Sequence, residues 1–225
     1  MGDIHGQYEM MLTALDKAQY NPKEDKLVLL GDYVDRGADS KLVVQKVQEL
    51  VQGGAIALLG NHEAMMISAI RDKSRTERGH IAEKYTRWIE TSGGEQTFNS
   101  FGGNMEEMRT VAKFLKTLPL YFESKEYVFV HGAVNPIGDD YLRKQGVNTL
   151  IWKRQHRFPK VKYKNKTIVV GHTPVQSLRT DADNVQPIIE DHAIYLDTGA
   201  VLAGKAPAAL TLMNLFTKEY WQVQG

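Results

Sequence analysis

Lys26-Leu27-Val28-Leu29-Leu30-Gly31-Asp32-Tyr33-Val34-Asp35-Arg36-Gly37 passes abruptly from an apolar run to a polar cluster bracketed by glycines. Residues 26–30 read as a short buried strand, and the polar cluster begins where that strand must turn. The same grammar recurs along the chain. Residues 55–59, Ala-Ile-Ala-Leu-Leu, precede Gly60-Asn61-His62-Glu63. Residues 127–130 precede His131-Gly132, residues 167–170 precede Gly171-His172, and Gly2-Asp3-Ile4-His5-Gly6 opens the chain. Apolar residues at helical spacing follow the first two polar clusters: Tyr8, Met11, Leu12, Leu15 and Ala18, then Val43, Val44, Val47, Leu50 and Val51. Residues 3–63 therefore read as β-α-β-α units around a parallel sheet. Further strands are expected over 193–197, 208–215 and 219–223. The pattern alone implies a mixed α/β fold.

The polar clusters share one chemistry. Their side chains are carboxylates, an amide and imidazoles, and there is no cysteine in 225 residues. Hard oxygens with imidazole suit Mn²⁺, Fe or Zn²⁺ rather than a soft metal. Asp3 and His5, one residue apart at a strand end, project to the same side. A single aspartate after a strand is ordinarily a turn residue or a helix cap. Here every strand end carries the same class of group, and loops at strand ends are where α/β proteins assemble sites. Two metals a few ångströms apart form a clamp for in-line hydrolysis of phosphate esters. Arg36, four residues beyond Asp32, adds a planar fork of donors that fits phosphate oxygens. His80, His156 and His192 lie outside this pattern and are expected as surface or edge residues.

The succession Gly-Asp-Ile-His-Gly, Gly-Asp-Tyr-Val-Asp-Arg-Gly, Gly-Asn-His-Glu, His-Gly and Gly-His-Thr-Pro closely resembles the PPP family of metal-dependent phosphatases, within the calcineurin-like phosphoesterase superfamily. The resemblance runs over essentially the whole chain. Glu63-Ala64-Met65-Met66, Trp88 followed by Ser92-Gly93-Gly94, Ile151-Trp152-Lys153-Arg154 and Leu196-Asp197-Thr198-Gly199-Ala200 resemble its bacterial and bacteriophage branch. The Ser-Ala-Pro-Asn-Tyr stretch of eukaryotic members is absent.

The resemblance implies a single metallophosphoesterase domain over 1–225, with two packed β-sheets flanked by helices in four layers. It implies that Asp3, His5 and Asp32 hold one divalent metal and that Asp32, Asn61, His131 and His172 hold a second. Mn²⁺ is the expected ion, with Fe or Zn²⁺ also fitting. A hydroxide between the metals would attack phosphorus directly. His62 would be the general acid, Asp35 its partner, and Arg36, Arg154 and Asn61 the phosphate binders. Family members carry a hydrophobic strand immediately before the first motif. Here that strand is expected to be missing or reduced to Met1, leaving Asp3 and His5 close to a fraying start. Residues 71–109 read as a polar helical cap near the site, broken at Gly79, Gly93-Gly94 and Gly102-Gly103.

Composition fits a soluble enzyme. A formal net charge of +1 argues against nucleic-acid binding by charge alone. The lack of cysteine suits a reducing cytoplasm, and no apolar run approaches the length of a membrane span. A monomer acting on phosphoproteins or phosphopeptides is expected, with small phosphate esters or nucleotides as further substrates. Two other functions compete. A symmetrical diadenosine tetraphosphate hydrolase shares the metal scaffold, but Glu63 and Val34-Asp35-Arg36 depart from its usual motifs. A non-catalytic binding module on the same fold would have lost ligands, and none is missing here.

Overall fold

Side-chain alternation along three strands sets the layers. In Tyr127–Val130 (β4), Thr167–Val170 (β5) and Ala193–Tyr195 (β7), successive side chains point to opposite faces. Val128, Val130, Ile168, Val170 and Tyr195 pack to one side with Leu150, Ile151, Phe158 and Tyr163. Phe129, Val169 and Ile194 pack to the other, against Leu30, Leu58, Leu196 and Met213. Burial on both faces is what parallel strands with near-continuous apolar sequence require. The computed structural model describes residues 1–74, 82–135, 142, 144–160 and 162–225.

These strands form a five-stranded sheet of order β3-β4-β5-β7-β6, with β3 at Tyr121–Glu123 and β6 at Ile188–Ile189. β4, β5 and β7 are parallel, and the two edge strands run antiparallel. The second layer combines two ribbons. Val28–Leu29 (β1) pairs in parallel with Ile56–Ala57 (β2), and Ala209–Met213 (β8) pairs antiparallel with Tyr220–Gln224 (β9). Met1 and Gly2 bridge them: Leu30 N–H donates to Met1 O, and Gly2 N–H donates to Thr211 O, both at 3.1 Å. The expected pair of packed sheets is therefore present, with helices on the outer face of the second.

Several expectations change in detail. The strands expected over 26–30 and 55–59 shorten to two residues each, because the backbone turns into the polar loops early. The edge strands β3 and β6 were not legible. The fraying start is not seen. Met1 is 4% exposed, its amino group donates to Val28 O at 2.8 Å, and Ile4 and His5 N–H both donate to Asp32 O. The free edges of β1 and β8 supply the partners that hold these residues.

Helices α1 (Tyr8–Lys17) and α2 (Ser40–Gln52) bury the apolar stripes seen in sequence. α3 (Asn61–Lys73) starts inside the third polar cluster. α4 (Glu83–Thr91), α5 (Gly94–Ser100) and α6 (Met105–Leu115) follow. The stretch expected as a solvated cap is more deeply embedded than that. Trp88, Thr97 and Met108 are buried, and α6 contributes to the main core. Gly79 and the rest of 75–81 lie outside the described residues. Asp72, near the end of α3, accepts the Lys84 N–H at 2.9 Å and so steers the start of α4.

One carboxylate ties the second and third polar loops together. Glu63 is fully buried and accepts N–H bonds from Asp32 at 2.8 Å, Tyr33 at 2.7 Å, Val34 at 3.2 Å and Gly60 at 3.0 Å. Removing it strands four backbone donors, each costing about 1–3 kcal/mol if buried and unpaired. Glu63→Ala should lower stability by at least ~3 kcal/mol in urea unfolding. Glu63→Gln, which keeps one acceptor oxygen, should lose less. A Glu63→Ala midpoint equal to wild type would remove this tie from the account of the fold.

Candidate metal centre

The polar loops fold into conformations that L-residues rarely adopt. Among the described residues, nine non-glycine residues have positive φ, and five are site candidates: His5, Asp32, Asp35, Arg36 and His172. Such strain persists where surrounding structure over-determines it, and it concentrates at functional sites. Close approach matters as much. A Cβ on Gly171 would lie 2.1 Å from Asp3 Oδ1, and one on Gly31 would lie 2.9 Å from His131 Nδ1. Glycine at these two positions lets strands from different sheets bring their ends together.

Asp32 is the centre of the cluster. His5 Nε2 lies 3.5 Å from its Oδ2, and His131 Nε2 lies 3.3 Å from its Oδ1. Donor atoms of Asp32, His131 and His172 fall within 4.8 Å of one another, as do those of Asp32, His5 and His62. Backbone carbonyls fix the ring tautomers. His5 Nδ1 donates to Val34 O, His131 Nδ1 to Leu30 O, and His172 Nε2 to Trp152 O. Each ring therefore keeps its other nitrogen as a lone-pair donor, the arrangement that orients a metal-binding imidazole.

Two observations test whether these residues fit cations. Asp3 Oδ1 is buried with no hydrogen-bond partner, while Asp3 Oδ2 accepts the His172 N–H at 2.9 Å. His131 Nε2, its Nδ1 proton committed elsewhere, faces Asn61 Oδ1 at 2.9 Å as well as Asp32. Acceptors facing acceptors in a dry site need a proton or a metal between them. The donor set fits divalent metals. The titration behaviour agrees. Burial, then the charges of Asp197 and Asp32, push the Asp3 carboxyl well up. Burial would raise Asp32 too, but the His131, His62 and His5 charges hold it well below the usual range. Burial pushes His5 and His172 down to about 3.

His62 sits among these groups but is engaged differently. Its Nδ1 is 2.7 Å from Asp35 Oδ2, and its N–H donates to Asp32 Oδ1 at 3.0 Å. Burial would lower its pKa, but the Asp32 charge and the bond to Asp35 raise it overall. Asp35 is itself fully buried. Trp88 Nε1 reaches both its oxygens at 3.0 and 2.9 Å, and Thr97 Oγ1 donates to Oδ1 at 2.8 Å. Asp35 pairs with His62 rather than with its neighbour Arg36. The pair opens on a cleft of 650 Å³ whose lining includes Arg36, Asn61, His62, Trp152 and Arg154. Arg154 also donates to His172 O at 3.1 Å.

All the site candidates read from sequence thus converge on this cluster or its cleft. Outside it, His156 is exposed and His80 lies outside the described residues. His192, expected at the surface or an edge, is buried beside β7, between Glu190 Oε2 at 3.2 Å and Phe158 O at 3.3 Å. Sequence reasoning gave no role to Glu63, Asp197, Trp88 or Thr97. Asp197 is buried at the end of β7, and burial pushes its carboxyl up to about 6. Its signal was available, since it follows an apolar run as the other loops do. Thr97 carries none.

Residues 1–202 match the calcineurin-like phosphoesterase family. The chain belongs to that family. This phosphoesterase is 26% identical over 214 residues to serine/threonine-protein phosphatase 2 of Salmonella typhimurium, covering 91% of this chain and 88% of that one. It is 30% identical over 142 residues to a symmetrical bis(5'-nucleosyl)-tetraphosphatase of Erwinia tasmaniensis, covering 62% of this chain and 45% of that one. A solved structure of a candidate diadenosine tetraphosphatase superposes with a TM-score of 0.67 at 20% identity, covering all of this chain and 91% of that one. That likeness supports the fold. Calcineurin-like metallophosphoesterases use a dinuclear metal centre. The phosphoesterase has no helix among its described residues long and apolar enough to cross a membrane.

The buried charges give the metal-free protein a pH signature. Burial raises the Asp3 carboxyl, and it raises Glu63 to about 7. His62 and His131 are raised as well. In each case the folded state holds a proton that the unfolded state has released, so stability falls as pH climbs past 6.5. His5 and His172 are neutral in both states there, and only the buried Met1 amine, lowered to about 5, opposes. The melting temperature in EDTA should therefore drop as pH rises above 6.5. Added Mn²⁺ should raise it most at the high-pH end. A flat EDTA profile with no Mn²⁺ effect would contradict this picture of the cluster.

Proposed function

We propose that this protein is a metal-dependent phosphomonoesterase that removes phosphate from phosphoserine and phosphothreonine in proteins. Asp3, His5 and Asp32 would hold one divalent ion, and Asp32, Asn61, His131 and His172 a second. When bound, two such ions, most suitably Mn²⁺, supply Lewis acidity and a water made acidic enough to act as nucleophile near neutral pH.

The remaining work falls to the chain's own residues. Arg36 and Arg154 grip the phosphate oxygens from the cleft side, where guanidinium geometry matches them. Asn61 reaches the same oxygens. His62, protonated, delivers its proton to the departing oxygen. Asp35 is a positioning residue: it holds the ring by Nδ1 and favours the charged form.

The observation that carries this reading is the buried Asp35–His62 pair facing the cleft. A proton donor built this deeply serves a leaving group that needs one. A serine or threonine alkoxide does, whereas a nucleotide phosphate departs readily without help. The second reading is a dinucleoside tetraphosphatase. It is supported by the Erwinia tasmaniensis relative and by Trp152, 42% exposed in the cleft lining, which offers a stacking face for a base.

His62→Asn should therefore depress hydrolysis of a phosphoserine peptide by about 10²–10⁴-fold, the usual contribution of general acid catalysis. Hydrolysis of p-nitrophenyl phosphate, whose leaving group needs little protonation, should fall far less. Metal content should be retained. Equal losses on both substrates, or loss of metal, would mean that His62 is a ligand and that the acid lies elsewhere.

A further inference from the structure

The catalytic cleft carries more positive charge than one phosphate can use. Arg36, Lys84, Arg87 and Arg154 all line it, and among the described residues no aspartate or glutamate does. None of the four forms an ion pair among the described residues. With Arg36 and Arg154 assigned to the phosphate, Lys84 and Arg87 are the two cleft cations left over, and neither is ion-paired among the described residues.

Their placement is not scattered. Lys84, Arg87, Trp88 and Thr91 line the cleft at helical spacing, so one whole face of α4 forms its wall. The acidic residues of that helix, Glu83 and Glu90, stand a turn from Arg87 but do not line the cleft. The adjoining wall is α3, against which α4 packs, through His62, Met65 and Ser68. The two walls are fixed relative to the proton donor. Trp88, within the same stripe as the cations, donates to both oxygens of Asp35, and Asp35 holds His62. At 650 Å³ the cleft has room for much more than a phosphate group.

We propose that Lys84 and Arg87 form a second anion subsite that selects phosphopeptides with acidic side chains beside the phosphorylated residue. This rests on the proposed protein-phosphatase activity and gives it a substrate class. The phosphate is held by Arg36 and Arg154, and a neighbouring aspartate or glutamate, or a second phosphorylated residue, is held by the α4 pair. Both cations are solvent-exposed, so the preference is electrostatic and weakens with salt.

The test compares the Mn²⁺-loaded wild type with Lys84→Ala/Arg87→Ala and with Lys84→Glu/Arg87→Glu. Three substrates are used: a phosphoserine peptide with alanine neighbours, the same peptide with aspartate and glutamate neighbours, and diadenosine tetraphosphate. For the wild type, kcat/KM on the acidic peptide should exceed that on the neutral one by about tenfold at low salt, chiefly through KM. The alanine pair should bring that ratio to about one, and the glutamate pair should reverse it. The wild-type ratio should shrink as salt is added. A wild-type ratio near one, or a ratio that survives both double substitutions, would overturn the subsite. Hydrolysis of the dinucleotide in place of both peptides would overturn the protein substrate and the acidic peptide with it. If the substituted pairs then also slowed the dinucleotide, the two cations would stand as polyphosphate binders instead.

Discussion

Asp32 is the constraint around which the rest is arranged. Its two oxygens face His5 and His131 on separate sides, and one of them also takes the His62 N–H. Three more carboxyls, Asp3, Glu63 and Asp197, are buried nearby, and each is pushed upward by burial first and by like charge second or third. Buried carboxylates are tolerated when they are hydrogen-bonded, protonated or matched by cations. Glu63 takes the first route, through four backbone N–H groups. Asp3 keeps an oxygen with no partner, and that unmet valence points to a cation. The cluster therefore divides into carboxylates that organise backbone and carboxylates that await charge.

The fold supplies this arrangement by ending its parallel strands together. β1, β2, β4, β5 and β7 each run into a loop carrying a polar site residue, and the two sheets are joined face to face by Leu30, Phe129, Val169, Ile194 and Leu196. Packing between the sheets thus fixes Asp32 and Asn61 from one layer against His131, His172 and Asp197 from the other. Left-handed backbone recurs at five of the residues in these loops, His5, Asp32, Asp35, Arg36 and His172. Strain of about 1–3 kcal/mol per residue persists only where packing over-determines it. The strained loops are anchored by strands buried on both faces, which is that condition.

Much of the candidate site was legible because its signals are local. Asp32, Asn61, His131 and His172 each follow an apolar run within a few residues, Asp3 and His5 stand one residue apart between glycines, and the unbroken apolar sequence of β4 and β5 marks those strands. What was not legible depends on contacts far apart in sequence. The edge strands β3 and β6 exist because neighbours pair with them, not because their own residues alternate. Trp88 and Thr97 reach Asp35 across 53 and 62 positions, with no spacing rule to announce it. The burial of His192 depends on Glu190 and the Phe158 carbonyl, the latter 34 positions away. The firm hold on Met1 and Gly2 depends on strand edges at Val28, Leu30 and Thr211.

Substrate choice follows a different logic from the chemistry. In the proposed roles, the metal-binding cluster and the Asp35–His62 pair would meet only the phosphate and the oxygen leaving it, so they would sort substrates by leaving group and by nothing further away. Discrimination has to come from groups that touch the rest of the substrate. Those are the cleft walls: the exposed face of α4, the facing side of α3 and Trp152. α4 belongs to the stretch that was hardest to read, polar and glycine-broken, and such sequence would pass for a solvated cap. The Trp88 bonds to Asp35 change its meaning. They make a polar surface helix part of the rigid frame of the Asp35–His62 pair, so its outward charges are presented at a fixed place along the cleft. A helix held only by surface contacts could vary its position with every ligand. One pinned through buried Trp88 to Asp35 can carry specificity without loosening the Asp35–His62 pair.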